Sequence, residues 1–243
     1  MRRPSEGERR VTAIVPAYNE EATLTEVLSV LKATPVIGEI LVVSDGSTDG
    51  TVEIARSMGL RTIHLRQNQG KGMAMAVGVA HTDAEILLFV DGDILNLTED
   101  LLGRLMEPVL AGRSDMNVGI RHRGALMDEI HRRSGILLSG IRCLRRQVFE
   151  AVPESHLEGF AIETGLNWAC RHLGCRTTTT VMYNLKHLVK EKKRGFVRGF
   201  RARFEMFAAV FRAHWILRGG QPALRRDLPA SPSLKPELEY INF

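Results

Sequence analysis

The sequence predicts an α/β protein built on a doubly wound, mostly parallel sheet flanked by helices. Short runs of consecutive apolar residues alternate with stretches of helical spacing four times over roughly residues 11–95, as expected of strands buried on both faces and joined by right-handed crossovers. The fourth run, Ile86-Leu87-Leu88-Phe89-Val90, stops abruptly at Asp91-Gly92-Asp93. That places two acids at the carboxyl edge of the sheet, where ligands of open α/β folds collect. No internal repeat of fixed period is visible.

Taken in order, Val11-Thr12-Ala13-Ile14-Val15 is the first strand, ended by Pro16 and Asn19. A helix follows over 20–32, with Leu24, Val27, Leu28 and Leu31 at helical spacing. Ile40-Leu41-Val42-Val43 is a second buried strand, leading into the turn 44–51, where Ser47, Thr48 or Asp49 can cap the next helix. Thr62-Ile63-His64-Leu65 is a third strand, and Gly70-Lys71-Gly72 opens a small-residue helix over 73–81. After the acids the pattern loosens: a helix over 98–111, a strand near 116–120 and a basic loop, Arg121-His122-Arg123-Gly124. Short helices are expected over 145–152 and 162–173, and a threonine-rich strand over 176–183. A long amphipathic helix over 196–217 carries Phe196, Phe200, Phe204, Phe207, Phe211 and Trp215 near one stripe, with arginines mostly off it. Such a helix packs on protein or lies on an anionic membrane. The tail after Gly219-Gly220 holds four prolines and reads as an extended arm. The chain thus divides into a basic arm (1–10), a main domain (11–190) with halves at 11–95 and 96–190, the helix (195–218) and the tail (219–243).

At 243 residues the chain is long enough for one domain with a large core. Its net charge of +5 favours anionic partners such as phosphates or a membrane surface, and nothing in the pattern singles out nucleic acid. Three cysteines, Cys143, Cys170 and Cys175, make no disulfide framework and suit a reducing compartment. The apolar run after the basic start is too short for a signal peptide, and no stretch approaches about 20 uninterrupted apolar residues. The expectation is a cytoplasmic protein, peripheral to the inner membrane face if the 196–217 helix binds lipid. Otherwise that helix packs on the main domain or on a second subunit, as in a homodimer.

Asp91 and Asp93, separated only by Gly92, can turn two hard oxygen donors toward one point. That donor set suits Mg2+ or Mn2+, cations usually completed by water and substrate phosphates. The chemistry points to a metal-bound diphosphate.

Four motifs stand in register: Val15-Pro16-Ala17-Tyr18-Asn19-Glu20-Glu21, Val43-Ser44-Asp45-Gly46-Ser47-Thr48-Asp49-Gly50-Thr51, Gly70-Lys71-Gly72 and Asp91-Gly92-Asp93. Together they resemble the signature of family 2 glycosyltransferases, with their Rossmann-like GT-A fold. Downstream, Ser139-Gly140-Ile141-Arg142, Gly159-Phe160-Ala161-Ile162-Glu163 and His187 resemble, more loosely, the polyprenyl-phosphate sugar transferases and glucosyl-3-phosphoglycerate synthases. The resemblance implies a nucleotide-diphosphate-sugar donor, carrying UDP or GDP. Pro16, Tyr18 and Glu20 would line the nucleoside pocket, Asp45 would accept from a base N–H, and Lys71 would offer its cation and nearby backbone N–H groups to phosphate. Asp91 would face the ribose or a metal-bound water across Gly92, Asp93 would contact the metal, and His187 would add an imidazole to the same ion.

In sugar transfer, charge develops on the departing diphosphate, where the metal and Lys71 would stabilise it. Inverting relatives with hydroxyl acceptors generally place a late aspartate as base; this chain offers Glu158 and Glu163. Glu163 either orients a hydroxyl or acts as base, or simply favours the start of its helix. A phosphate acceptor, already ionised, needs no base. Arg121, Arg123, Arg142, Arg145 and Arg146 are then the expected clamps, since a guanidinium fork matches phosphate oxygens. Two other readings are a sugar-phosphate nucleotidyltransferase, which lacks its glycine-rich basic loop here, and a non-catalytic nucleotide- or membrane-binding module.

Overall fold

The computed structural model describes residues 11–122, 124, 137, 139–157 and 162–187, together with the backbone of 238–241. The expected helix over 196–217, and with it the membrane or dimer contact, lies outside the described residues. Strands β1 (Val11–Ala17), β2 (Ile37–Ser44), β3 (Arg61–Leu65) and β4 (Ile86–Phe89) alternate with helices α1 (Leu24–Ala33), α2 (Thr51–Ser57) and α3 (Lys71–Ala80). Then come β5 (Ile94–Leu95), α4 (Glu99–Leu110), β6 (Met116–Arg121), β7 (Arg142–Arg145), α5 (Arg146–Glu150), α6 (Ile162–His172), β8 (Thr177–Met182), β9 (Lys186–His187) and β10 (Leu238–Ile241). The main sheet has the order β10-β3-β2-β1-β4-β7-β6-β8.

The four strands of the first half are mutually parallel, as expected. Beyond β4 the sheet is mixed: β7 runs antiparallel to both β4 and β6, and β8 is parallel to β6. The segment 145–152, expected as one helix, is a strand end followed by the short α5. Strand β7 escapes pattern reading because only Cys143 and Leu144 separate its arginines. It is nevertheless central, and Arg142 is just 1% exposed. In the tail, 238–241 pairs antiparallel with β3 and so covers one edge of the sheet.

Apolar residues from α3, α5 and α6 form one core against the sheet, and those from α1 and α4 form another on the opposite face. Small residues let α3 lie close: a Cβ at Gly78 would stand 2.5 Å from Ile14 Cγ2. Strand β1 runs through Pro16 rather than ending there. The alternation of backbone bonds explains this, since Ile14 O accepts from Val90 N on the β4 side while Ala17 O accepts from Asp45 N on the β2 side. Pro16 therefore directs its missing donor toward β4, where pairing has already stopped. Helix α1 starts four residues later than expected. Asn19 takes a left-handed φ of 55°, and the N–H groups of Thr23 and Leu24 both bond to Glu20 O in a tight turn.

Candidate functional site

At the carboxyl edge of β1, β2 and β4 lies a cavity of about 340 Å³. Pro16, Tyr18, Glu20, Asp45, Lys71, Asp91, Gly92 and Asp93 all line it, joined by Ala17 and Gly70 of the same motifs and by Asn68 and Ala74, which the sequence reading did not single out. Four separate loops meet here because the parallel strands all end at one edge.

The β2 loop is tied to the start of α3. Asp45 Oδ1 accepts from Gln69 N at 2.7 Å and Oδ2 from Gly70 N at 2.9 Å. Burial raises the Asp45 carboxyl above its ordinary value against the pull of those two N–H groups. Gly46 makes the approach possible: its φ is +70°, and a Cβ would stand 2.7 Å from the backbone of both Gln67 and Asn68. The β1 loop is fastened in turn, with Glu20 N donating to Thr51 Oγ1 at 2.8 Å and Glu21 N to Asp49 Oδ2 at 3.2 Å. Asp49 also receives Thr51 N at 3.1 Å, so it serves the first turn of α2 although Gly50 holds the cap position. Thr23 Oγ1 donates to Gly92 O at 2.7 Å and binds the start of α1 to the acidic loop. Only the folded chain brings that pair together.

The floor of the site is a charge cluster. Lys71 Nζ lies 2.7 Å from Asp91 Oδ1 and 3.0 Å from Glu163 Oε1, with the three side chains 19%, 19% and 13% exposed. Burial alone would depress the lysine, but Asp91 and then Glu163 outweigh it and hold the ammonium above its ordinary value. Burial likewise pushes Glu163 upward, yet Lys71 and then Arg142 prevail and keep its carboxyl below the usual range. A carboxylate held ionised this way is a weak proton acceptor.

The expected acceptor arginines separate. Arg121 is exposed at the end of β6, beside the ring pair His122 and Tyr183 at 4.7 Å. Arg142 is no surface clamp: its guanidinium is buried and spent on Ser139 O, Leu137 O and Asn167 Oδ1. Arg145 and Arg146 fall at the opposite edge of the sheet, because β7 runs against β4 and pairs Arg145 with Ile86. There Arg145 meets Asp115 at 3.3 Å and Arg146 donates to Ala84 O at 2.9 Å. Arg123 and Glu158 lie outside the described residues.

Two carboxylates on the cavity wall, Asp91 and Asp93, fit a hard cation that keeps positions open for water and phosphate. Among the described residues no three His, Cys, Asp or Glu side chains form a ready metal cluster. Strand β9 pairs the backbone of His187 with Ile94, the residue after Asp93. No helix of the described residues is long and apolar enough to cross a membrane.

The family model of Glycosyl transferase family 2 matches residues 12–188. An undecaprenyl-phosphate 4-deoxy-4-formamido-L-arabinose transferase of Shewanella sediminis is 26% identical over 224 residues, covering 82% of this chain and 66% of its own. A glucosyl-3-phosphoglycerate synthase of Mycobacterium tuberculosis is 31% identical over 113 residues, 43% of this chain and 35% of its own. The chain thus spans less than two thirds of the length of either relative. The crystal structure of the M. tuberculosis synthase with Mn2+, UDP and phosphoglyceric acid superposes with a TM-score of 0.73 at 23% identity, covering 91% of this chain and 86% of that one. The fold is accordingly the Rossmann-like GT-A arrangement.

Proposed function

We propose that this chain, which belongs to glycosyl transferase family 2, moves a sugar from a nucleotide-diphosphate donor to a phosphate-bearing acceptor. The observation that carries the reading is the convergence of Pro16, Tyr18, Glu20, Asp45, Lys71, Asp91 and Asp93 on one cavity. In this reading Pro16, Tyr18 and Glu20 hold the nucleoside, and Asp45 shapes the base end through its grip on the loop before α3. Lys71 serves the diphosphate. A bound Mg2+ or Mn2+ would neutralise charge developing on the leaving diphosphate, with Asp93, Asp91 and His187 as the residues that hold it. The relatives' own descriptions support this: the M. tuberculosis synthase was crystallised with Mn2+ and UDP-glucose.

The preference for a phosphate acceptor follows from Glu163. Hydroxyl acceptors need a base, and Glu163 is ion-paired with its carboxyl held low. A phosphate oxygen attacks without one, so Glu163 orients Lys71 and the incoming group instead. Arg121 and Arg123 are the remaining clamps for that phosphate. A polyprenyl phosphate would lie at a membrane face, where the helix expected over 196–217 would supply the contact; a small phosphorylated metabolite would not require it.

The test is a thermal-shift screen of UDP- and GDP-sugars with Mn2+, then NMR of the anomeric product from whichever donor stabilises the protein. Asp93→Asn is expected to abolish metal-dependent turnover while the protein still folds. Undiminished turnover in that variant sinks the reading. Absence of calorimetric heat with every nucleotide diphosphate plus Mn2+ would favour a non-catalytic module.

A further inference from the structure

We infer that Arg142 is a positioning residue for this transfer, fixing the backbone strap of Leu137 and residues 139–141 over the Lys71–Asp91 pair and, through Asn167, the helix face that presents Glu163. The inference rests on the reading of the site given above, and it concerns a residue buried beneath that site.

Taking a guanidinium out of water is costly unless its N–H groups are matched. Here Nε donates to Ser139 O at 2.7 Å, Nη2 to Leu137 O, and Nη1 to Asn167 Oδ1 at 2.8 Å, while Asn167 Nδ2 also reaches Leu137 O at 3.1 Å. Three of these four bonds end on the strap. The strap in turn touches the charge cluster. A Cβ built on Gly140 would stand 2.0 Å from Asp91 Oδ2, 2.2 Å from Lys71 Nζ and 2.4 Å from Asp91 Oδ1. Backbone therefore seats directly on the pair, and a shift of about an ångström would displace both side chains.

The circuit closes through α6. Glu163 and Asn167 are four residues apart and share one helix face; the first meets Lys71 at 3.0 Å and the second meets Arg142 at 2.8 Å. Burial lowers the Arg142 guanidinium to about 10, and the nearby charges of Glu163 and Asp91 oppose that fall. Its hydrogen bonds go to the strap, to Asn167 and to the Met116 thioether. A lysine cannot reproduce this, because one ammonium does not span two carbonyls and an amide in a planar fork.

The experiment compares Arg142→Lys, Asn167→Ala, Gly140→Ala and the double variant Gly140→Ala/Arg142→Lys in the full chain. Hydrogen exchange of the segment 137–145 should accelerate about tenfold or more in Arg142→Lys and Asn167→Ala. Calorimetric affinity for UDP with Mn2+ should weaken, because Lys71 and Asp91 are the groups displaced, and kcat with the donor found by the screen should fall at least tenfold, while exchange in β1, β2 and β3 stays as in the wild type. The double variant should be no slower than the worse single one, because both changes break the same circuit. Unchanged exchange, unchanged kcat or additive losses would each overturn the inference, and Asn167→Ala decides it if Arg142→Lys does not fold. Should the wild type turn over no nucleotide sugar, the proposed function fails while the exchange measurement still judges the strap.

Discussion

Glu163 and Asp45 illustrate at the residue scale how two buried carboxylates at one site diverge. Asp45 accepts from backbone N–H groups and its carboxyl is raised by burial; Glu163 has cationic neighbours and is lowered in spite of burial. The two therefore act oppositely on stability as pH changes. A folded value below the unfolded one gives stability that is present above the ordinary carboxylate range and is lost as pH falls through the folded value. Replacing Glu163 by Gln should accordingly lower Tm by a constant amount above about pH 5, and the difference from wild type should shrink below about pH 4.5. A difference independent of pH down to pH 3 would show that the Lys71–Glu163 pair carries no such linkage. Asp91, Asp93, Lys71 and Pro16 were legible as candidates because each sits in a short motif beside a strand end. The bonds of Arg142 were not, since its partners Asn167 and Met116 lie 25 and 26 residues away.

At the scale of elements, the site is held by joints between loops and helix starts. Gly46 occupies a left-handed turn against the backbone of Gln67 and Asn68. Alanine there should cost about 2 kcal/mol or more, seen as a fall in Tm of roughly 4–8 °C, with weaker binding of UDP and Mn2+ because Asp45 loses its seat. Thr23 ties α1 to Gly92. Thr23→Val leaves a buried carbonyl without its donor, a loss of about 1–3 kcal/mol, which urea denaturation would measure. Full stability in that variant would mean the acidic loop is held by other contacts. Helices α1, α3, α4 and α6 and the parallel strands of the first half stand within a few residues of where the sequence places them. Strand β7 did not, because its burial comes from its neighbours β4 and β6 rather than from its own apolar content.

For the whole molecule, the remaining question is what the segment beyond residue 187 contributes. Residues 238–241 return to β3, so deleting everything after residue 190 would also uncover a sheet edge. Substitution is the cleaner probe: changing Phe200, Phe204, Phe207 and Phe211 to Ser should reduce sedimentation with anionic vesicles several-fold if the 196–217 helix lies on lipid. Equal sedimentation of both proteins would assign that stripe to protein packing instead. The amino-acid sequence by itself determined the alternation of strands and helices in the first half, the edge at which chemistry collects and the acids that stand there, because these depend on local pattern and on motifs a few residues long. Only the tertiary structure decided that a sheet parallel in its first half takes an antiparallel strand at its centre, that one arginine turns inward while two others go to the far edge, and that Lys71 bridges Asp91 and Glu163. Those outcomes depend on which distant segments pack together, and the free energy of a buried charge is set by neighbours that no local pattern contains.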